Sequence, residues 1–282
     1  MPPNLKFMDQ QPTNCFVAEQ HFHAAEAREL LEYPHMMTYA LLDLQCLGTQ
    51  MHTKEGLKAL TDSLSQKEQD ILNKFAMASR KREWLGGRLA AKCAAARLFE
   101  LMESRQSAIP WQEYSILADE NGRPNLAVAS SNTSGPMPDI SISHSGLFAA
   151  AMAVSHGYAG IDIQQVVQKV IRVKDRFCTP GEEQLLRDFF SLEPKNIAAT
   201  LTKLWAAKEA MRKASSTWSL PGFLEMELAE ITGDPPQDGF APRGFIFKMA
   251  SSAGFTHSSC RVVVVDIADY VLALTARSAT LD

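Results

Sequence analysis

Aliphatic residues alternate with small or polar ones over Tyr158–Gln164, and this period of two predicts a strand. It puts Ala159, Ile161 and Ile163 toward a core and Gly160, Asp162 and Gln164 on the opposite face. Tyr39–Gln45, Phe148–Val154 and Tyr270–Ala276 also read as strands, and Ile140–Gly146 as a shorter one ending in hydroxyls, an imidazole and a glycine. Over Ala198–Ala214 the period changes to that of a helix. Leu201, Leu204 and Met211 form its apolar face, and Trp205, Glu209 and Lys213 recur every four residues along one edge. Ala24–Leu31 reads as a further helix. The polar stretches 130–136 and 233–239 read as loops.

The pattern repeats once. Tyr39-Ala40-Leu41-Leu42-Asp43-Leu44-Gln45 matches Tyr158-Ala159-Gly160-Ile161-Asp162-Ile163-Gln164 at an offset of 162 − 43 = 119. Glu68 and Phe75 fall over Glu182 and Phe189, Ala90-Ala91-Lys92 over Ala206-Ala207-Lys208, and Phe148–Val154 over Tyr270–Ala276, in the same order. Four ordered matches predict two copies of a strand, helix, helix, strand unit. The expected division is an N-terminal extension of unknown role over 1–35, a first half over 36–156 and a second half over 157–282.

Composition adds exclusions. At 46% hydrophobic and 21% charged residues the chain is that of a folded protein, and a net charge of -4 argues against a nucleic-acid coat. No apolar run reaches the roughly 18 residues that span a bilayer. Five scattered cysteines without a C-x-x-C spacing suggest neither a disulfide framework nor a zinc knuckle, and fit a cytoplasmic protein. The pair His21 and His23 lacks the further ligands a metal site needs.

The copies differ where chemistry is expected. Gly160 stands over Leu41, which removes bulk beside Asp162 and admits a ligand or a second backbone. Glu209 and Lys213 stand over Cys93 and Arg97, so the second copy alone carries that carboxylate. Each feature has a plain alternative: Asp162 as a turn cap, and Glu209 with Lys213 as a surface pair worth about 0.3–0.5 kcal/mol. Two carboxylates on different elements also suit magnesium, which takes oxygen ligands and keeps water or phosphate in its shell. Ser143 and His144 are candidate phosphate contacts, or an ordinary hydrogen-bonded strand end. Arg80, Arg88 and Arg123 complete the basic inventory, with a solvated face as their default.

In this order and spacing the segments resemble the surfactin-type phosphopantetheinyl transferases. The resemblance rests on Gly122-Arg123-Pro124 with Ile142-Ser143-His144-Ser145, on Gly160-Ile161-Asp162, on Trp205 through Ala214, and on Glu83-Trp84-Leu85-Gly86-Gly87-Arg88. It implies an α+β fold, a pseudo-twofold monomer of two similar α/β halves with coenzyme A bound between them. It also implies magnesium-dependent transfer of 4′-phosphopantetheine to a serine of an apo acyl or peptidyl carrier protein. By the same resemblance Asp162 and Glu209 ligate the metal, Glu209 accepts the serine proton, and Lys213 assists the leaving bisphosphate. Ser143 and His144 contact the nucleotide phosphates, Arg123 the adenine side, and Arg80 or Arg88 further phosphate oxygens. Gln164 departs from relatives that carry a second acid there, which puts a third protein ligand in doubt. A non-catalytic coenzyme A or carrier-binding module and a magnesium phosphohydrolase are the rival readings.

Overall fold

A computed structural model describes residues 11–17, 23–102, 109–129, 136–190, 196–215, 221–233, 242–249 and 259–278. The loops expected at 130–136 and 233–239 lie almost wholly outside these residues, as does His21. The chain forms two compact units, one of Met1–Ala18 with His35–Ser155 and one of Glu19–Pro34 with His156–Asp282. Each mixes helix and sheet. Helix α1 (Ala24–Leu31) belongs to the second.

The first unit holds β1 (Met37–Asp43), α2 (Leu44–Met51), α3 (Lys54–Asp62), α4 (Gln66–Lys74), α5 (Ala78–Leu101), β2 (Tyr114–Ala118), β3 (Pro124–Val128), β4 (Asp139–Ser145) and β5 (Phe148–Val154). Strands β1, β5 and β4 form an antiparallel sheet in that order, and β2 pairs with β3. Helix α5 packs across β5, β1 and β4. Its alanines and Gly86 permit a close approach: a Cβ on Gly86 would collide with the Leu44 side chain and lie 3.3 Å from the Ala149 Cβ. Residues 11–17 join this unit through a bridge from Phe16 to Leu42. A disulfide between Cys15 and Cys46 fastens them there. The scattered spacing suggests no disulfide framework, and this single bridge joins two segments that only the tertiary fold brings together.

The second unit holds β6 (Tyr158–Gln165), α6 (Lys169–Arg172), α7 (Pro180–Phe190), α8 (Ile197–Lys213), β7 (Met226–Thr232), β8 (Arg243–Met249), β9 (Ser259–Ile267) and β10 (Tyr270–Arg277). Its antiparallel sheet runs β6-β10-β9-β8-β7, with α8 across β6, β10 and β9 and α1 against β8, β9 and β10. Both faces of β6 are therefore buried. Asp162 and Gln164 pair with Ala273 and Val271, which belong to the core that also contains Ala206, Ala207 and Ala210 of α8. Ala159, Ile161 and Ile163 are buried as expected, but the face of Gly160 and Asp162, expected to be open and polar, is the face α8 covers. Alternation marks two faces without saying which one a helix covers.

The two units share one buried device. Ser65 and Thr179 each begin a helix in the pattern S/T-x-x-E, and the acid three residues on accepts from the cap N–H, at 2.8 Å for both Glu68 and Glu182. Each acid also takes a fully buried lysine, Lys92 at 2.7 Å and Lys208 at 2.6 Å. Burial pulls both lysines below their ordinary range, against the charge of the paired glutamate. The ammonium groups are also ringed by carbonyls that accept from them: those of Ser63, Trp111 and Tyr114 around Lys92, and of Phe177 and Phe223 around Lys208. Each lysine thereby ties its central helix to the following sheet and the preceding turn.

The strands repeat in a different register from the one their letters suggest. Ala40 pairs with Ala151, and Asp162 pairs with Ala273. Arg97 donates to the Tyr39 carbonyl where Lys213 donates to that of Ile161. Thr38 donates to the Ala94 carbonyl at 2.7 Å where Gly160 lies against that of Ala210. All three set Asp162 over Ala40, at 162 − 40 = 122, and Gly160 over Thr38. Asp43 instead caps α2, its carboxylate accepting from Gln45 and Cys46 at 2.7 and 3.0 Å.

Candidate active site

Asp162 sits mid-strand on β6, 6% exposed, beneath the last turn of α8. Lys213 reaches it from that turn, donating to Oδ1 at 2.8 Å and to the Ile161 carbonyl at 2.9 Å. The lysine lies at the negative end of the helix dipole, where a cation is favoured. Gly160 lets this happen. A Cβ there would lie 2.8 Å from Thr275 Cγ2 and 3.0 Å from the Ala210 carbonyl carbon, and closer still to its oxygen. The space expected beside Asp162 is therefore filled by a second backbone, that of α8.

Glu209 lies one turn before Lys213, half-buried, with Oε1 3.4 Å from an Arg212 guanidinium nitrogen. Its carboxyl is held above the usual carboxylate range, first by burial and then by the negative charge of Asp162, against the pull of Arg212 and Lys213. Two acids that repel each other near one ammonium make a place where another cation is favoured. No group of three or more histidine, cysteine or acidic side chains that could hold a metal occurs among the described residues. The structural equivalents of Asp162 and Glu209 in the first unit are Ala40 and Cys93, so both acids belong to the second unit alone.

Gln164 shares the strand face of Asp162 and, with Trp205, lines a pocket of about 420 Å³ that also includes Val170, Val173, Arg176 and Thr202.

In the first unit, Arg80, Arg88 and His144 line one pocket of about 170 Å³, together with Phe75, Trp84 and Ile142. Arg88 lies over the Trp84 ring at 4.7 Å, and burial lowers its pKa while Glu68 opposes the shift. Arg80 is exposed and 3.8 Å from Glu83. His144 is exposed on β4, but Ser143 points to the other face and is 7% exposed, so the two do not share a pocket. Arg123 forms a two-pronged pair with Asp139 at the start of β4, its Nε 3.1 Å from Oδ1. It does not line the pocket either. Sequence reasoning passed over Arg212, whose spacing of three from Glu209 on a helix was its only signal, and Trp84 as the ring beneath Arg88.

The family model described as ACPS, 4′-phosphopantetheinyl transferase superfamily, matches residues 158–275. Among solved structures the chain is similar to a holo-(acyl-carrier-protein) synthase from Bacillus anthracis in complex with CoA (3′,5′-ADP), at 22% identity over 42% of this chain and 92% of that one, TM-score 0.35. It is also similar to the Helicobacter pylori holo-[acyl-carrier-protein] synthase in complex with coenzyme A, at 18% identity over 43% and 100% of the two chains, TM-score 0.35. The Thermotoga maritima holo-[acyl-carrier-protein] synthase is similar at 19% identity over 50% and 73%, TM-score 0.32. No curated protein matches the chain. Among the described residues no helix is long and apolar enough to cross a membrane.

Proposed function

We propose, from the match of residues 158–275 to the 4′-phosphopantetheinyl transferase superfamily model, that the protein transfers 4′-phosphopantetheine from coenzyme A to a serine hydroxyl of an apo acyl or peptidyl carrier protein. One observation carries the reading beyond the family match. The two acids that the second unit adds at the frame positions of Ala40 and Cys93 are Asp162 and Glu209, and they converge beside Lys213.

The donor set fits magnesium. Glu209 is held above the ordinary carboxylate range first by burial and then by the charge of Asp162, a repulsion that a divalent cation would relieve, and such an ion needs only one or two carboxylates when substrate phosphate completes its shell. Asp162 and Glu209 would hold the ion, which would supply charge neutralisation on the pyrophosphate. Glu209 would accept the serine proton as the serine oxygen bonds to the phosphorus next to the pantetheine. The bond from that phosphorus to the bridging oxygen breaks, and its electron pair leaves with adenosine 3′,5′-bisphosphate. Lys213, already held at Asp162 Oδ1, would neutralise that leaving group. Arg80, Arg88 and His144 would contact nucleotide phosphates. Arg123, committed to Asp139, and Ser143, buried on the far face of β4, are left out of that assignment.

The test is intact-mass measurement of an apo carrier protein after incubation with the protein, coenzyme A and magnesium. A gain of one phosphopantetheine supports the proposal. An unchanged carrier with coenzyme A bound points instead to a binding module, and free phosphate to a hydrolase. Excess chelator should abolish transfer; full turnover in its presence removes magnesium from the scheme.

A further inference from the structure

The pair between Arg212 and Glu209 sits at the end of a chain of contacts that begins at the buried lysine. Lys208, paired with Glu182, donates to the carbonyls of Phe177 at 2.7 Å and Phe223 at 2.9 Å, and so fixes the two segments that carry those rings. Both rings pack on Trp205, that of Phe177 edge-on at 5.1 Å and that of Phe223 stacked at 4.8 Å. The Arg212 guanidinium then lies over the Phe223 ring at 4.8 Å, with Nη1 3.4 Å from Glu209 Oε1. A guanidinium on a solvated helix sweeps many rotamers and fixes nothing. Laid flat on a ring that is itself anchored, it keeps one place and one set of donor directions.

The first unit supplies an internal control. Lys92 makes the same collection of carbonyls, Ser63 and Trp111 among them, so the anchoring lysine is part of the common frame. At the positions of Phe177, Trp205, Glu209 and Arg212 that unit has Ser63, Leu89, Cys93 and Ala96, while Trp111 keeps a ring at the position of Phe223. A ring at the Phe223 position is therefore common to both units, but the flanking rings of Phe177 and Trp205 and the arginine accompany the carboxylate in the second unit alone.

We propose that Arg212 is a positioning residue for Glu209, held in place by Phe223 and through it by Trp205 and Lys208. The proposal rests on Glu209 being the base and metal ligand of the reaction above. Arg212 touches neither coenzyme A nor the serine in this scheme. It fixes the rotamer from which Glu209 meets both the ion and the proton.

Phe223→Leu isolates the idea, since it removes the ring and leaves every charge in place. In the full chain, with folding checked by thermal melting, it should lower kcat by roughly tenfold or more with KM for coenzyme A within about twofold, as supporting contacts around metal ligands do. Calorimetric titration with magnesium should show affinity at least about threefold weaker, a readout independent of turnover. Phe223→Tyr, which restores a ring face, should bring both back to within about twofold of the parent. Combining Phe223→Leu with Arg212→Met should be no worse than Arg212→Met alone, because both break one contact chain. Additive losses in the double variant, or wild-type kcat and magnesium affinity in Phe223→Leu, overturn the proposal. Should Phe223→Leu not fold, Arg212→Met carries the test, with wild-type kcat as the overturning result. Glu209→Gln runs in parallel: if it turns over at the parent rate, the functional reading itself fails, whereas an inactive Glu209→Gln beside a normal Arg212→Met sinks only the role of Arg212.

Discussion

Replacing Gly160 by alanine tests the contact that brings the two acids together. The added carbon would lie 2.8 Å from Thr275 Cγ2 and 3.0 Å from the Ala210 carbonyl carbon, with the oxygen nearer still. Ordinary carbon to oxygen contacts begin near about 3.3 Å, so strand and helix must part by roughly 1 Å. Neither neighbour is a flexible side-chain end. Overpacking of this kind costs about 1–3 kcal/mol. Parting β6 from α8 also stretches the Lys213 bonds to Asp162 and Ile161, now 2.8 and 2.9 Å, for about 1 kcal/mol more after allowing for the solvent exposure of Lys213. The smaller entropy of the unfolded alanine chain returns about 0.5 kcal/mol. The net expectation is a loss of about 2–3 kcal/mol in urea denaturation, together with a fall in carrier modification measured where the variant is still fully folded. Gly160→Ala with stability within about 0.5 kcal/mol of the parent and unchanged turnover would refute the close-approach account. It would favour an open space beside Asp162 instead.

Three further outcomes follow from the same geometry. Lys92→Met and Lys208→Met should each cost about 3–5 kcal/mol in denaturant titrations, because each strands a glutamate that is 0% exposed; a loss below about 1 kcal/mol in either contradicts the structural role given to the pair. Glu209 is held above the ordinary carboxylate range, so it gains its proton at a higher pH than a free carboxylate as pH falls. At low magnesium, the acid limb of kcat against pH should therefore lie above the usual glutamate range and move down as magnesium is raised; a limb that ignores magnesium counts against Glu209 as a ligand. Cys46→Ser opens a disulfide that spans 31 residues, which should cost about 2–4 kcal/mol under oxidising conditions and nothing under strong reductant.

Strands β5, β6 and β10 and helix α8 were legible because periods of two and 3.6 survive in the sequence, and Lys92 over Lys208 was legible because both helices keep the Ala-Ala-Lys letters. The register of β1 against β6 was not. Matching Tyr-Ala-x-x-Asp set Asp43 over Asp162, yet a strand's register is fixed by its ladder and by the helix across it, and those contacts place Ala40 there. Three residues of slippage hid the fact that Asp162 has no counterpart in the first unit. The role of Gly160 was half legible: close approach followed from the missing side chain, but not which neighbour approached. The opposite facing of Ser143 and His144 was available from alternation alone. Arg212 was marked only by its spacing of three from Glu209, and its seat on Phe223, like the packing of Phe177, was beyond reach, since those contacts depend on segments of the chain that meet only in the folded unit.

Segment 19–34 leaves the first unit, contributes to the second, and the chain then returns to the first at His35. Helix α1 lies on β8, β9 and β10, Glu32 pairs with Arg261 at 2.8 Å, and the Tyr33 hydroxyl donates to the His156 carbonyl. A cut between Ser155 and His156 would therefore not release a finished module. The C-terminal fragment would lack its own helix and show a bare apolar strand surface, while the N-terminal fragment would carry that helix with nothing to cover. Each piece made alone should aggregate, and the two made together should recover a soluble, active pair. The interlaced chain thus suits the protein to fragment complementation and makes it a poor subject for dissection into halves.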